Sequence, residues 1–148
     1  MILDLSAGYR HVWHDKERRD VIFVDRRPEC KPTVICDTRA LPFPSGGRWD
    51  LILFDPPHRG LKATSVMAHT YGVSENEDVL STILGTAREA ARVSAPGTLM
   101  AFKWNDCRWP FMGAIAIMGQ WWCLLFGHNM ARASKAAKTT TWAMLVRL

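Results

Sequence analysis

The residues best suited to chemistry are Asp55-Pro56-Pro57-His58, which directly follow a largely apolar stretch at residues 49–54. A short apolar run that ends abruptly is typical of a parallel-sheet strand covered on both faces. Proline has no N–H group and a fixed φ, so Pro56 and Pro57 end that strand. The pattern therefore predicts Asp55 at the carboxyl end of a central strand, where open α/β sheets bind their ligands.

Acids also occur at the other predicted strands of the first third of the chain. We expect strands at residues 2–5, 21–25 and 33–37, which contain Asp4, Asp25 and Asp37 respectively. An acid about twenty residues beyond a glycine turn can accept hydrogen bonds from ribose hydroxyls. Taken singly, each acid also fits a turn or helix-cap carboxylate, but four along one edge of a sheet favour a binding site.

The turn after the first strand, Ser6-Ala7-Gly8, narrows the class of ligand. Its glycine allows the backbone to approach a ligand closely. The turn lacks both the Gly-x-Gly-x-x-Gly pattern of dinucleotide sites and the Gly-Lys-Ser/Thr of a phosphate-binding loop. A ligand with no phosphate to bind there therefore fits better than a dinucleotide or a nucleoside triphosphate.

Composition predicts one globular domain over residues 1–148, with 48% hydrophobic and 22% charged residues. We see no signal peptide, and the longest apolar segments, 111–118 and 121–126, fall short of the roughly 18–20 residues of a membrane span. Four scattered cysteines without Cys-x-x-Cys spacing argue against a zinc site and a disulfide framework. We expect a cytoplasmic protein with no metal and no membrane partner.

The charge distribution permits a polyanionic partner. The formal net charge is +5, and residues 128–148 contain four Lys or Arg residues and no acid. Arg132, Lys135 and Lys138 recur every three residues, so helical folding would place them on one face for phosphate contact. The alternative is an ordinary solvated face. Seven tryptophans are many for this length, and we expect some of them to face a ligand or partner.

The rest of the chain predicts an alternation of strands and helices. We expect further strands at 98–104, 121–126 and 139–148, and helices at 9–16, 77–93 and 110–119. Ser74 or Asn76 would cap the second helix, after a long loop at 58–75 over the crevice. This pattern predicts an α/β fold with a mostly parallel seven-stranded sheet, reduced helices on both faces and the last two strands paired antiparallel at one edge.

Together these residues resemble the class I S-adenosylmethionine-dependent methyltransferases, which have a Rossmann-like fold. The segment Leu3-Asp4-Leu5-Ser6-Ala7-Gly8 is similar to the family's first motif, which wraps the methionine part of the cofactor. Asp25 matches the acid that binds the ribose, and Asp37-Thr38 matches the position that contacts the adenine ring. The resemblance implies S-adenosylmethionine as cofactor, bound by these residues and by Asp55.

The Asp55-Pro56-Pro57-His58 segment resembles the Asp/Asn-Pro-Pro-aromatic motif of amino-methyltransferases that act on adenine N6 or cytosine N4. Phe102-Lys103-Trp104-Asn105 is similar to a segment of small phage- and prophage-encoded methyltransferases with an Asp-Pro-Pro-His motif. The resemblance implies that residues 55–58 are catalytic. It also implies nucleic-acid contacts by Lys103, Trp104 and Asn105, together with the basic residues at 132, 135 and 138.

Two features depart from the resembled family. His58 stands where Tyr, Phe or Trp is usual, and the chain is much shorter than typical DNA methyltransferases, without a separate recognition domain. His58 and Trp104 are candidates for the walls that stack on a flipped base. The alternatives are a polar loop residue for His58 and a core residue for Trp104.

The residues also indicate how such a reaction would proceed. An exocyclic aromatic amine is a poor nucleophile, because its lone pair is delocalised into the ring. Asp55 and the Pro56 carbonyl would accept its two N–H groups, and two prolines would preorganise these acceptors.

We therefore expect an amino-methyltransferase acting on a nucleic-acid base, with adenine N6 in DNA favoured. Cytosine and RNA remain open as targets, and a homodimer is plausible. Two alternatives remain: a methyltransferase for a small molecule or protein, and a cofactor-binding partner subunit of a methyltransferase pair.

Overall fold

The structure is a computed structural model that describes residues 1–58, 78–130 and 138–148. Within these residues the strands are β1 (Ile2–Asp4), β2 (Val21–Asp25), β3 (Val34–Ile35), β4 (Leu51–Phe54), β5 (Leu99–Asn105), β6 (Trp122–Asn129) and β7 (Thr140–Arg147). The helices are α1 (Val79–Val93) and α2 (Phe111–Met118), with one turn of 3-10 helix at Pro28–Cys30.

The seven strands form one sheet in the order β3-β2-β1-β4-β5-β7-β6. Strands β1 to β5 are paired in parallel, whereas β7 pairs antiparallel with both β5 and β6. The mostly parallel sheet and the antiparallel pair at one edge are thus confirmed. The strand that runs against the others is β7, which lies between β5 and the outermost strand β6. The carboxyl ends of β1, β2 and β4 meet at one edge because these strands are neighbours in parallel.

The main core lies on one face of the sheet, beneath both described helices. Asp78 caps α1 by accepting hydrogen bonds from the backbone N–H groups of Leu80 and Ser81. Ile83 of α1, Met100 of β5 and Trp122 of β6 are fully or almost fully buried in this core. A smaller cluster on β1, β2 and the turn after β1 contains Ala7, Val21 and Phe23, with Trp13 packed against it. We predicted helices on both faces, but α1 and α2 both pack against the main core.

The predicted helix at 9–16 is wrong, because these residues form turns. Gly8 and Arg10 have φ values of 47° and 56°, in the left-handed region that interrupts a right-handed helix. The Arg10 guanidinium holds this conformation by donating to the Lys16 carbonyl at 2.5 Å and the Lys31 carbonyl at 2.8 Å. The segment is therefore shaped by contacts across the chain rather than by its own periodicity.

Other predicted bounds shift by a few residues. β3 contains only two residues, and β6 continues to Asn129 because its pairing with β7 extends that far, through an irregularity between Leu124 and Phe126. The cap of α1 is Asp78. The candidate caps Ser74 and Asn76 lie outside the described residues, as does nearly all of the predicted loop. No helix within the described ranges is long and apolar enough to cross a membrane.

Candidate functional site

A cleft lies at the carboxyl ends of β1 to β4 and gathers most of the residues that the sequence predicted. Those lining it are Leu5, Ser6, Ala7, Gly8, Asp25, Asp37, Thr38, Asp55, Pro56 and Pro57. Sequence reasoning missed further lining residues, among them Tyr9, His11, Val12, Arg26, Arg27 and Arg39. The predicted site is therefore a single concave surface, with acids from three strand ends exposed to it.

Asp4 is the exception among the predicted cofactor ligands, because it is fully buried and does not line the cleft. One of its carboxylate oxygens accepts the Ser6 N–H at 2.9 Å, and the other accepts Trp13 Nε1 at 2.7 Å. Burial raises the pKa of Asp4 to about 6, with a smaller contribution from the nearby Asp55, while the hydrogen bonds from Trp13 and Ser6 act in the opposite direction. Asp4 therefore shapes the turn that lines the cleft.

Ser6 connects that turn to the Asp55 corner. Its Oγ accepts a hydrogen bond from the Asp55 backbone N–H at 2.7 Å. The backbone N–H of the preceding residue, Leu5, donates to the Leu53 carbonyl at 2.9 Å. These bonds fix the end of β4 against the turn after β1, so the Asp55 corner and the Ser6–Gly8 turn are held as one unit.

Asp25 is held by a local arginine. Its Oδ2 accepts the Gly8 N–H at 2.9 Å and Arg27 Nη2 at 3.1 Å. Its Oδ1 accepts the Arg27 N–H at 2.9 Å and Arg27 Nε at 3.1 Å. Both side chains are largely buried. A ligand hydroxyl that bonded to Asp25 would therefore have to displace the Arg27 guanidinium from at least one oxygen.

Asp37 repeats the same arrangement one strand further along. Its Oδ1 accepts the Arg39 N–H at 2.9 Å, and Arg39 Nη2 donates to Oδ2 at 2.6 Å. These bonds from Arg39 lower the pKa of Asp37, so it is ionised at neutral pH. Thr38 makes a 2.7 Å hydroxyl contact with Thr86 of α1, which ties this edge of the cleft to the helix.

Asp55 is paired differently, with a lysine from the neighbouring strand. Lys103 Nζ of β5 donates to Asp55 Oδ2 at 2.8 Å, and both side chains are partly exposed. His58 Nε2 lies 3.5 Å from Asp55 Oδ1. Pro56 is buried and Pro57 is partly buried, so this corner is packed rather than free in solvent.

His58 is mostly buried beside this corner. Burial lowers its pKa, as does the positive charge of Lys103, whereas Asp55 raises it. The imidazole is therefore neutral at pH 7, and its Nδ1 is buried without a hydrogen-bond partner among the residues that the structure describes. Its ring meets the Trp104 ring edge-on, with centroids 5.1 Å apart.

Trp104 does not offer a surface to a base, so its predicted stacking role is wrong and the core alternative holds. The side chain is fully buried, stacks on Phe102 with centroids 5.9 Å apart, and donates from Nε1 to the Trp109 carbonyl at 2.9 Å. Strand β5 alternates its faces, so Trp104 points into the core while Lys103 points to the opposite face.

The remaining predicted nucleic-acid contacts are scattered. Asn105 donates from Nδ2 to Thr140 Oγ1 at 2.8 Å and so joins β5 to β7. Lys138 is exposed just before β7. Arg132 and Lys135 lie outside the described residues. A sequence signal for the missed arginines does exist, because Asp25-Arg26-Arg27 and Asp37-Thr38-Arg39 share the spacing Asp-x-Arg at two successive strand ends.

Comparison with known proteins identifies the fold. No protein-family model and no curated protein matches the sequence. Among solved structures, a TehB-like S-adenosylmethionine-dependent methyltransferase from Corynebacterium glutamicum matches with a TM-score of 0.64 and 15% identity, over 99% of this chain and 79% of that chain. The N-methyltransferase NodS from Bradyrhizobium japonicum, in complex with S-adenosyl-L-homocysteine, matches with a TM-score of 0.62 and 15% identity, over 99% and 76%.

A third match is an S-adenosylmethionine-dependent methyltransferase from Methanosarcina mazei, with a TM-score of 0.65 and 8% identity over 99% of this chain and 91% of that chain. At such low identities the likeness concerns the course of the backbone. The chain therefore has the fold of S-adenosylmethionine-dependent methyltransferases.

Proposed function

We propose that this protein is an S-adenosylmethionine-dependent methyltransferase that acts on an exocyclic amine of a nucleic-acid base, with adenine N6 in DNA as the favoured target. One observation carries the proposal: the Asp55-Pro56-Pro57 corner lines the same cleft as the Ser6–Gly8 turn and the carboxylates of Asp25 and Asp37. The fold supports the methyl-transfer class, and the corner motif supports the amine.

The residues of the cleft fit the cofactor. Asp25 and Asp37 are carboxylate acceptors suited to the hydroxyl and amino groups of a nucleoside. Gly8, with its positive φ, lets the backbone turn pass close to a ligand. When bound, the cofactor would supply a methyl group on a positively charged sulfur. For Asp25 and Asp37 to bind the cofactor, the Arg27 and Arg39 guanidinium groups must release at least one carboxylate oxygen each.

The corner supplies what an amine nucleophile needs. The Asp55 carboxylate and the Pro56 carbonyl accept the amine N–H groups and so orient its nitrogen. Lys103 and the Ser6 hydroxyl restrict Asp55, so the acceptor is positioned before the substrate arrives. The neutral His58 places no second positive charge beside a nitrogen that becomes cationic on methylation.

A nucleic acid is the favoured substrate because of the basic chain and the motif at the corner. The net charge is +5, and the acid-free stretch at residues 128–148 includes β7, which lies beside β5. A base inside a duplex cannot reach an acceptor at the end of β4, so the target base must be flipped out or lie in a single strand.

The test is to identify the methylated nucleoside. The protein is incubated with cofactor carrying a deuterated methyl group and with single-stranded DNA, duplex DNA or RNA, and the digested nucleosides are analysed by mass spectrometry. We expect labelled N6-methyladenine from DNA with the wild type and none with Asp55→Ala. The matched control is Asp50→Ala, an exposed acid just before the opposite end of β4.

Other results would revise the proposal in defined ways. Labelled N4-methylcytosine would move the target to cytosine, and label only in RNA would replace DNA as substrate. No labelled nucleoside in any nucleic acid would overturn the proposed substrate class. Equal incorporation by Asp55→Ala would remove Asp55 from the reaction.

A further inference from the structure

A row of side chains crosses the sheet from the Asp55 corner to its outer edge. Phe54 of β4 is in register with Phe102 of β5, so Asp55 lies beside Lys103. Lys103 is in register with Trp142 of β7, and Trp142 with His128 of β6. Residues in register across neighbouring strands point to the same face. Asp55, Lys103, Trp142 and His128 therefore form one line, named here the cross-sheet row.

Contacts confirm that the inner part of the row is continuous. Lys103 Nζ lies 2.8 Å from Asp55 Oδ2 and 5.7 Å from the centroid of the Trp142 ring. One ammonium group thus bridges the proposed catalytic carboxylate and an indole ring. The Trp142 ring lies on the other side of Lys103 from Asp55, on the face away from the main core.

The row also remains accessible. The Trp142 side chain is partly exposed, Lys103 is 28% exposed, and His128 is exposed. An aromatic ring flanked by basic side chains is the arrangement with which proteins bind single-stranded nucleic acid, since every base has a face that can stack. The stretch around Trp142 contains no acid between residues 128 and 148, so charge favours a polyanion there.

We propose that Trp142 is the stacking platform for the base next to the target nucleotide in a single-stranded substrate. This inference rests on the proposed function and deepens it, because it places the substrate strand along the cross-sheet row. Asp55 receives the target amine, Lys103 lies between the two bases, and Trp142 holds the flanking base. Stacking is tolerant of base identity, so this contact binds the strand without selecting a sequence.

The experiment removes either partner of the stack. The probes are thymine oligonucleotides with a single adenine, either intact or with an abasic residue immediately 5′ or 3′ of that adenine. Steady-state methylation is measured at saturating cofactor with the wild type, Trp142→Leu and Trp142→Phe. Trp49→Leu is the matched control, because Trp49 is a partly buried tryptophan just before β4, at the other end of the sheet.

We expect one of the two abasic probes to raise the KM of the wild type by about tenfold, as loss of one stacked base predicts. Trp142→Leu should raise the KM for the intact probe by a similar factor and respond no further to the abasic residue. Trp142→Phe should fall between them. Binding of S-adenosyl-L-homocysteine, measured by calorimetry, should be unchanged in both variants, which also reports that they are folded.

The outcomes separate the inference from the function on which it rests. If the wild type methylates the probes but neither abasic residue changes its KM, the inference is wrong and the function stands. The same holds if Trp142→Leu still responds to the abasic residue as the wild type does. If the wild type methylates none of these adenine probes although it binds the cofactor product, adenine in single-stranded DNA is not its target, and the inference fails together with that favoured form of the proposed function.

Discussion

The two halves of the sheet's carboxyl edge hold their acids in different ways. In the half formed by β2 and β3, Asp25 and Asp37 are each paired with an arginine two residues later in the chain. In the half formed by β4, β5 and β7, Asp55 is paired with Lys103, from a strand that is distant in sequence. The first pairing forms whenever the local turn forms, whereas the second requires the assembled sheet.

This difference relates to what each half has to do. The Asp-x-Arg turns satisfy both oxygens of a carboxylate and can be opened by a ligand without disturbing the sheet. Asp55 is fixed from two other elements: Ser6 Oγ in the turn after β1 accepts a hydrogen bond from the Asp55 backbone N–H, and Lys103 of β5 donates to the Asp55 carboxylate. We infer that the first half exchanges partners on binding, while the second is rigid from the start.

The largest expected effect is the loss of Asp55. We expect Asp55→Ala to lower kcat by about 100- to 1000-fold, the range seen when one preorganised transition-state contact is removed. Its affinity for S-adenosyl-L-homocysteine should change by less than about threefold, because the cofactor half is untouched. Steady-state kinetics and calorimetry measure the two quantities. A large loss of cofactor affinity with normal kcat would show that Asp55 binds the cofactor and takes no part in the reaction.

Removing the lysine tests whether the second half is prepositioned. We expect Lys103→Met to lower kcat about tenfold, because Asp55 loses the partner that holds its side chain in place. Lys103→Arg should recover part of the activity, since a cation is restored. Lys31→Met, at an exposed site remote from β5, is the control. Wild-type kcat in Lys103→Met would show that Asp55 needs no such support.

In the half formed by β2 and β3, replacing the acid and replacing its arginine should change the affinity for S-adenosyl-L-homocysteine in opposite directions. Asp25→Ala should weaken binding of S-adenosyl-L-homocysteine about tenfold, through lost hydrogen bonds to a charged group. Arg27→Gln should strengthen it by a few-fold, because the guanidinium no longer competes for the carboxylate. Calorimetry measures the Kd of S-adenosyl-L-homocysteine for each variant and for the wild type. Weaker binding in both would mean that Arg27 contacts the ligand instead of competing with it.

The smallest effect concerns stability and pH. Asp4 has a pKa of about 6 in the folded chain and an ordinary value of 3.8, so the native state binds more protons between these values. Folding stability from this group is therefore highest at low pH and decreases as pH rises from about 4 to above 6, by about 3 kcal/mol.

The measurement is urea unfolding of the wild type and Asp4→Asn from pH 4 to 8. The free energy of unfolding of the variant, relative to the wild type, should increase with pH up to about 7 and then level off. Parallel curves would show that Asp4 is not the titrating group.

Several of these features follow from local sequence alone. Strand β2 and the end of β4 were predictable because apolar runs stop at an acid or at prolines. Helix α1 was predictable from its apolar spacing. The carboxyl-end acids followed from the parallel order of the strands. Each of these signals lies within a few residues of what it specifies.

The features that could not be predicted depend on contacts between residues that are distant in the sequence. The turns at 9–16 depend on Arg10 reaching Lys31, and the pairing of Asp55 with Lys103 depends on β4 lying beside β5. Trp142 gained significance only from its register with Lys103. The burial of Trp104 could have been predicted, however. Met100, Phe102 and Trp104 alternate along β5 with Ala101, Lys103 and Asn105, and such alternation is typical of a strand with one buried face.

The measurement that tests the central claim most directly is a crystal structure of the protein with S-adenosyl-L-homocysteine. We predict that its sulfur lies beside the Asp55-Pro56 corner, with the ribose hydroxyls on Asp25 and the Arg27 side chain turned away. A ligand bound elsewhere, or bound with its sulfur directed away from Asp55, would contradict the account.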